Sequence, residues 1–129
     1  MRTWLITSFA ALAVLTTAAF KPAPGVKVSK PFAGAKVNGG NVTMNSDGGR
    51  ITLTLSPEVK DPKTPDAHWQ VVDSKGRVYL LDKMTIKDDK VNQSITLPDY
   101  IKDVQKVVIF CAWAVANLGE ASFSGLQST

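Results

Sequence analysis

The sequence predicts an all-β protein: an antiparallel β-sandwich, or partly open barrel, of seven to eight short strands that follows an N-terminal signal segment. Its apolar runs are short, recur at close spacing, and mostly end at glycine, proline, asparagine or aspartate. Several runs alternate apolar and polar residues with the period of two that is typical of strands. Such a succession of strands and turns favours a sandwich or barrel. The 129 residues, 44% of them hydrophobic, are enough for one domain with a packed core.

Residues 1–19 have the pattern of a secretory signal peptide. Arg2 gives a charged start, an apolar stretch follows from Trp4 to Val14, and Thr17-Ala18-Ala19 offers a cleavage site. The pattern predicts export, and therefore a secreted, periplasmic or extracellular protein. The alternative is an uncleaved anchor that would bring the chain to a membrane through this segment alone. Its apolar stretch is shorter than the roughly 20 residues of a spanning helix.

The remainder of the chain divides into a leader and a domain. Residues 20–31 contain three prolines and one glycine, a composition that predicts a proline-rich leader without a strand or helix. The β domain is expected over residues 32–129. A second proline-rich stretch, residues 56–65, predicts a loop over one end of that domain, where binding surfaces often lie.

Alternation and turn signals place the strands of the domain. In the run 50–55, Ile51, Leu53 and Leu55 are expected to face inward, and Asp47-Gly48-Gly49 before it is a good hairpin signal. One helical turn is expected at residues 99–104. The expected strands are residues 42–44, 50–55, 67–72, 77–81, a short strand within 82–90, 91–97, 107–115 and 121–123, with a tight turn at 117–120.

The run 107–115 is apolar on both faces and holds the only cysteine of the chain, Cys111. Its β-branched residues favour a strand over a helix, and it is too short for a membrane span. We therefore expect a central, fully buried strand. Because side chains alternate along a strand, one face would carry Cys111 together with Trp113 and Val115, so the thiol would lie deep in the core.

Cys111 and His68 carry the chemistry that the sequence offers. One cysteine excludes an intramolecular disulfide, and Cys111 is either a small core residue or a redox-active thiol. His68, the only histidine, lies on the expected strand 67–72 just after Asp66, and alternation puts it on the face opposite Trp69. His68 is either a hydrogen-bonded structural residue or, with Asp66, a neighbour or ligand in a site with Cys111.

No cofactor is evident from motifs, since HExxH, paired CxxC, P-loop and GxGxxG patterns are absent. His68 and Cys111 with Met44 or Met84 would form a soft, copper-like ligand set, so copper or another redox metal is the cofactor hypothesis. No acid, base and nucleophile can be assembled for a hydrolase, and no GxSxG elbow is present. These absences favour a non-enzymatic protein.

The charge pattern argues against a nucleic-acid partner. Removing residues 1–19 removes Arg2 and no acidic residue, so 15 basic and 11 acidic residues become 14 and 11. The lysines are scattered singly with aspartates between them and form no basic stripe. The expected partner is instead an unidentified protein or another component of the cell envelope.

Four stretches resemble the DM13 domain family. The most specific is residues 106–113, KVVIFCAW, an apolar strand with a central cysteine that continues to a closing Leu118-Gly119-Glu120-Ala121. The resemblance covers about residues 32–123. It implies an extracellular or envelope β-sandwich whose cysteine takes part in electron transfer. The other three stretches are residues 47–53, 64–71 and 91–98, similar to the family's glycine turn, its proline-aspartate-x-histidine strand and the strand before the cysteine strand.

Two functions follow as expectations. In the first, the chain is an exported redox or electron-transfer module with Cys111 as its active group and with His68 and Asp66 as neighbours or ligands. In the second, it is a non-catalytic binding or structural module of the cell envelope, with the loop 56–65 as contact surface and Cys111 in the core. Access of solvent to the Cys111 thiol distinguishes the two.

Overall fold

The computed structural model describes residues 25–88, 91 and 93–123, so the expected signal segment and residues 20–24 of the expected leader lie outside the described residues. The described part forms eight strands and no helix. Within it, no helix has the length and hydropathy needed to cross a bilayer. The strands are β1 (Val26–Val28), β2 (Val42–Asp47), β3 (Arg50–Leu55), β4 (Ala67–Val72), β5 (Val78–Lys83), β6 (Ser94–Thr96), β7 (Lys106–Cys111) and β8 (Ala116–Ser122).

The strands form two four-stranded antiparallel sheets. The first sheet has the order β1-β2-β3-β6 and the second the order β5-β4-β7-β8. Apolar residues from both sheets join in one buried core between them, and the sheets do not close into a barrel. The predicted all-β sandwich of seven to eight strands is confirmed, and the alternative of a barrel is not.

The β2–β3 hairpin forms at the predicted turn. Asp47 pairs with Arg50 across two glycines, Gly48 and Gly49, whose φ angles are 62° and 83°. A two-residue turn with positive φ at both positions matches the twist of the flanking strands, and glycine adopts it without steric cost. β2 continues to Asp47, beyond the expected strand 42–44, because residues 45–47 also pair with β3.

Strict alternation along β3 and β4 builds the inner faces of the two sheets. Trp69 on β4 is wholly buried, and its indole N–H donates to Oε1 of Gln93 at 3.4 Å. Since the single cysteine leaves no disulfide, apolar burial holds the two sheets together, at about 1.5–3 kcal/mol for a fully buried aliphatic side chain. Ile51, Leu53 and Leu55, the residues of β3 expected to face inward, are buried, and Ala67, Trp69 and Val71 of β4 are buried as well.

The expected leader contains a strand, contrary to the prediction. Val26–Val28 pairs antiparallel with β2 at the edge of the first sheet. The strand has only three residues and lies between Gly25 and Pro31. Three alternating residues are too few to distinguish a strand from a proline-rich loop in the sequence.

Residues 99–104 form no helical turn. After a turn, Ile101 and Val104 are buried against the core, and the N–H of Gln105 donates to the carbonyl of Val72 at 2.8 Å. A hydrogen bond to the end of β4 and contact with the core therefore override the local helical preference.

Strand bounds also differ between residues 82 and 97. β5 continues to Lys83, and the N–H of Met84 then donates to the carbonyl of Ala67, so no separate strand forms at residues 84–86. β6 includes only Ser94–Thr96 of the expected 91–97.

The largest difference is at the end of the central strand. β7 ends at Cys111, residues 112–115 reverse the chain, and β8 begins at Ala116. The predicted strand 107–115 and the predicted turn 117–120 are therefore wrong. β8 includes residues 121 and 122 of the predicted strand 121–123. The reversal contains no glycine, proline, asparagine or aspartate, the residues that usually mark turns, so hydrophobicity alone predicts a longer strand.

Candidate functional site

The register between β4 and β7 decides where Cys111 and His68 point. Cys111 is paired with Ala67, and Phe110 is paired with His68. Directly paired residues share a face of the sheet, and neighbours along a strand point to opposite faces. Cys111 therefore faces the core with Ala67, whereas His68 faces outward with Phe110. The structure does not bring these two candidate site residues together on one face.

Cys111 lies in a closed, apolar environment. Its exposed fraction is 1%, and its partners on the two neighbouring strands are both alanines, Ala67 and Ala116. A reactive thiol needs access to its reaction partner and a nearby cation, metal or helix N-terminus that stabilises the thiolate. The surroundings of Cys111 match the alternative of a small core residue.

His68 is held through both ring nitrogens. Nδ1 lies 2.8 Å from the carbonyl oxygen of Leu81, and because a carbonyl only accepts, Nδ1 carries a proton. Nε2 lies 3.0 Å from Oδ1 of Asp66, an arrangement that is an ion pair when both nitrogens are protonated. The ring thus connects Asp66, just before β4, to Leu81 on β5. This geometry matches the structural alternative for His68, since a metal ligand needs a free ring nitrogen.

Asp66 contacts β5 and the turn between β7 and β8 in addition to His68. Its Oδ1 also lies 3.7 Å from Nζ of Lys83, and its backbone carbonyl accepts the N–H of Ala112 at 3.0 Å. Within the described ranges, no group of three or more His, Cys, Asp or Glu side chains is placed to hold a metal ion. Copper or another redox metal at His68 and Cys111 stays a prediction.

The reversal between β7 and β8 forms an exposed apolar surface, named here the apolar tip (residues 112–115). Trp113 and Val115 are 75% and 76% exposed, and Ala114 between them is exposed as well. The sequence pattern predicts buried positions for Trp113 and Val115, and the structure places both at the surface. The only local sign of a turn is that none of residues 110–114 is β-branched and that alanines flank Trp113.

Val115 has a backbone conformation that β-branched residues avoid. Its φ is 53°, in the left-handed region, which costs a residue other than glycine about 1–2 kcal/mol. Glycine and asparagine occupy this region at lower cost. The chain therefore carries an exposed apolar side chain at a position where the stability of the fold alone favours glycine or asparagine.

Asp73 organises the β4–β5 turn at the other end of the second sheet. Its carboxylate is 3% exposed and accepts the backbone N–H groups of Lys75 and Arg77 and the Nε–H of Arg77, at 2.8–2.9 Å. Burial acts to raise the pKa of Asp73, but the hydrogen bonds from Arg77 and Lys75 and the charge of Arg77 outweigh it and lower this pKa. The hydrogen bond to Asp73 and its charge raise the pKa of Arg77. These contacts close the β4–β5 turn and occupy the Asp73 carboxylate.

Comparison of the chain with models of known protein families found no matching family, and comparisons with curated proteins and with solved structures found no match. The resemblance to the DM13 family stays a prediction. What the fold and the site define is an antiparallel β-sandwich with an enclosed core cysteine and an exposed apolar hairpin tip.

Proposed function

We propose that this chain is an exported, non-catalytic binding domain of the cell envelope that contacts a protein partner through the apolar tip. The observation that carries the proposal is the exposure of Trp113 and Val115 on one turn, with Val115 in a strained backbone conformation. In this proposal Cys111 is a core residue, as in the second of the two functions expected from the sequence.

Exposure of one apolar side chain is common on protein surfaces and needs no explanation. The apolar tip differs because four consecutive residues are apolar, three of them are exposed, and none is a usual turn former. Backbone strain persists where the surrounding structure enforces it, and strained residues are concentrated at ligand contacts and active sites. Tryptophan is also among the residues most enriched in the energetically dominant centres of protein interfaces.

The proline-rich loop 56–65 extends this surface. The residue that follows it, Asp66, accepts the N–H of Ala112 through its carbonyl, so the loop ends beside the apolar tip. Val59 and Pro62 are buried, which fixes the loop to the domain. A loop that is already fixed loses little conformational freedom on binding, so more of its contact energy contributes to affinity.

Photocrosslinking in the cells that make the protein tests the proposal. Benzoylphenylalanine replaces Trp113 in one variant, and in the matched control it replaces Tyr100, an aromatic residue on another segment that is 69% exposed. Position 113 is expected to give a discrete crosslinked partner protein that position 100 does not give.

Competition with added, unmodified chain shows which crosslinked product reflects specific binding. Excess wild-type chain is expected to suppress the crosslink from position 113. Excess Trp113→Ala chain is expected to compete about thirtyfold less well, since truncation of a dominant interface residue costs about 2 kcal/mol or more. The same crosslinking pattern at positions 113 and 100, or no crosslink at position 113, would contradict the proposal.

A further inference from the structure

We infer that the cleft at the end of the sandwich opposite the apolar tip binds a small organic monoanion, a carboxylate with a short hydrocarbon or aromatic body. The cleft has a volume of about 470 Å³, which lies in the range of small-molecule sites. Gly25 and residues of β1, β2 and β3 line one side, and Ser74 and residues 102–105 line the other. The inference does not depend on the function proposed for the apolar tip.

The floor of the cleft is apolar. Met44, Ile51 and Val104 line it, are 7%, 4% and 3% exposed, and belong to the buried core. Met44 and Ile51 come from neighbouring strands of the first sheet, and Val104 comes from the segment bonded to the end of β4. A hydrocarbon body placed against them removes apolar surface from water, which favours its binding.

The rim of the cleft is cationic. Lys27 on β1 and Lys102 on the facing segment are both exposed, and neither ammonium group has a hydrogen-bond or ion-pair partner within the described residues. The acid in the lining, Asp103, already accepts the N–H of Ser74 at 3.0 Å. Two ammonium groups and one carboxylate give these side chains a net charge of +1, so the cleft favours an anion over a cation.

The combination of floor and rim selects the class of ligand. Charge alone attracts any anion to exposed lysines, and such contacts are weak in water. An apolar floor between Lys27 and Lys102 adds a requirement for a hydrocarbon body next to the anionic group. A monocarboxylate has both a negative charge for the lysines and a hydrocarbon body for the apolar floor. An inorganic anion has only the charge, and an organic cation has only the hydrocarbon body.

Titration of the full chain, labelled with ¹³C in its methionine methyl groups, tests this inference by NMR. The sequence has three methionines, and Met44 lines the cleft while Met84 is buried outside its lining, so Met84 is an internal reference. Hexanoate is expected to shift the Met44 resonance saturably, with a Kd on the order of 1 mM for so small a ligand, and to leave Met84 unmoved. Acetate and hexylammonium are expected to bind at least about tenfold more weakly.

Charge-removing variants locate the anion. Lys27→Gln and Lys102→Gln are each expected to weaken hexanoate binding about fivefold, as expected for a partly exposed charge pair. Lys87→Gln removes the same charge from an exposed lysine after β5, outside the cleft lining, and is expected to leave hexanoate binding unchanged. Equal binding of hexanoate and hexylammonium, a Met44 resonance that does not move, or the same loss in all three variants would overturn the inference.

Discussion

Cys111 is enclosed by small apolar neighbours on the inner face of the second sheet, with 1% of its surface exposed. A reagent reaches such a thiol only in molecules whose sheet has opened. We therefore expect a disulfide reagent to label the native protein at least about a hundredfold more slowly than the urea-unfolded chain. Labelling of the native protein at the unfolded rate would contradict a structural role for Cys111 and support the redox hypothesis.

Substitution of Cys111 is expected to change stability and leave binding intact. Cys111→Ala removes the sulfur from a packed position and should lower the free energy of unfolding by about 1 kcal/mol, measured by urea denaturation. Cys111→Ser should lower it further, because it buries a hydroxyl among apolar neighbours. Crosslinking from position 113 is expected to be unchanged in the Cys111→Ala chain, and its loss in a folded chain would show that the thiol takes part in function.

Asp73 gives stability a pH dependence of predictable sign. Its pKa in the folded protein lies below the ordinary value of 3.8, so the folded chain binds fewer protons here than the unfolded chain. The stabilisation is present above the ordinary pKa and is lost as the pH falls through the lower, folded pKa. Asp73→Asn is therefore expected to be less stable than wild type at neutral pH and to lose less stability on acidification, measured by thermal unfolding.

A matched variant separates this effect from general acid unfolding. Asp47→Asn makes the same substitution at an exposed aspartate of the β2–β3 hairpin and is the control for replacing an aspartate by asparagine. If Asp73→Asn and wild type lost stability in parallel on acidification, the hydrogen bonds at Asp73 would not be the source of the dependence.

Among the elements, β3 and β4 have the bounds that their sequences predict. Both alternate cleanly, Gly48 and Gly49 fix the start of β3, and the turn begun by Asp73 fixes the end of β4. The β7–β8 hairpin lacks local signals of that kind, and its turn is set by the pairing of β8 with β7. Pairing of strands that are distant in the chain also decides that Cys111 and His68 face opposite sides, which alternation within each strand does not specify.

Gly119 allows β8 to approach the segment that precedes β2. A Cβ at Gly119 would lie 2.7 Å from the carbonyl oxygen of Val37 and 2.8 Å from its Cβ, while the N–H groups of Lys36 and Val37 donate to the carbonyl of Leu118. Gly119→Ala is therefore expected to lower the free energy of unfolding by about 1–3 kcal/mol, because relief of the clash would break these hydrogen bonds. Urea denaturation measures the change.

The control for this prediction is another glycine of the same sandwich. Gly48→Asn places a side chain where a Cβ meets nothing within 4 Å and where φ is 62°, a conformation that asparagine tolerates. Its effect on stability is expected to be small. Equal destabilisation by the two substitutions would show that close packing is not the role of Gly119.

The whole molecule presents different chemistry at its two ends. The apolar tip and the loop 56–65 lie at one end, and the cleft with Lys27 and Lys102 lies at the other. Composition and patterning predict the single all-β sandwich. They also predict the loop 56–65, but they do not predict the apolar tip or the cleft. Hydropathy counts Trp113 as core, and the cleft exists only where the two sheets pack together.

Val115→Asn tests most directly whether the apolar tip is retained for binding. Asparagine tolerates the left-handed conformation, so this variant is expected to raise the free energy of unfolding by about 1 kcal/mol. It also removes an exposed apolar side chain, so the crosslinking yield from position 113 is expected to fall severalfold in the same variant. A chain that is more stable than wild type and keeps the full crosslinking yield would contradict the proposed role of the apolar tip.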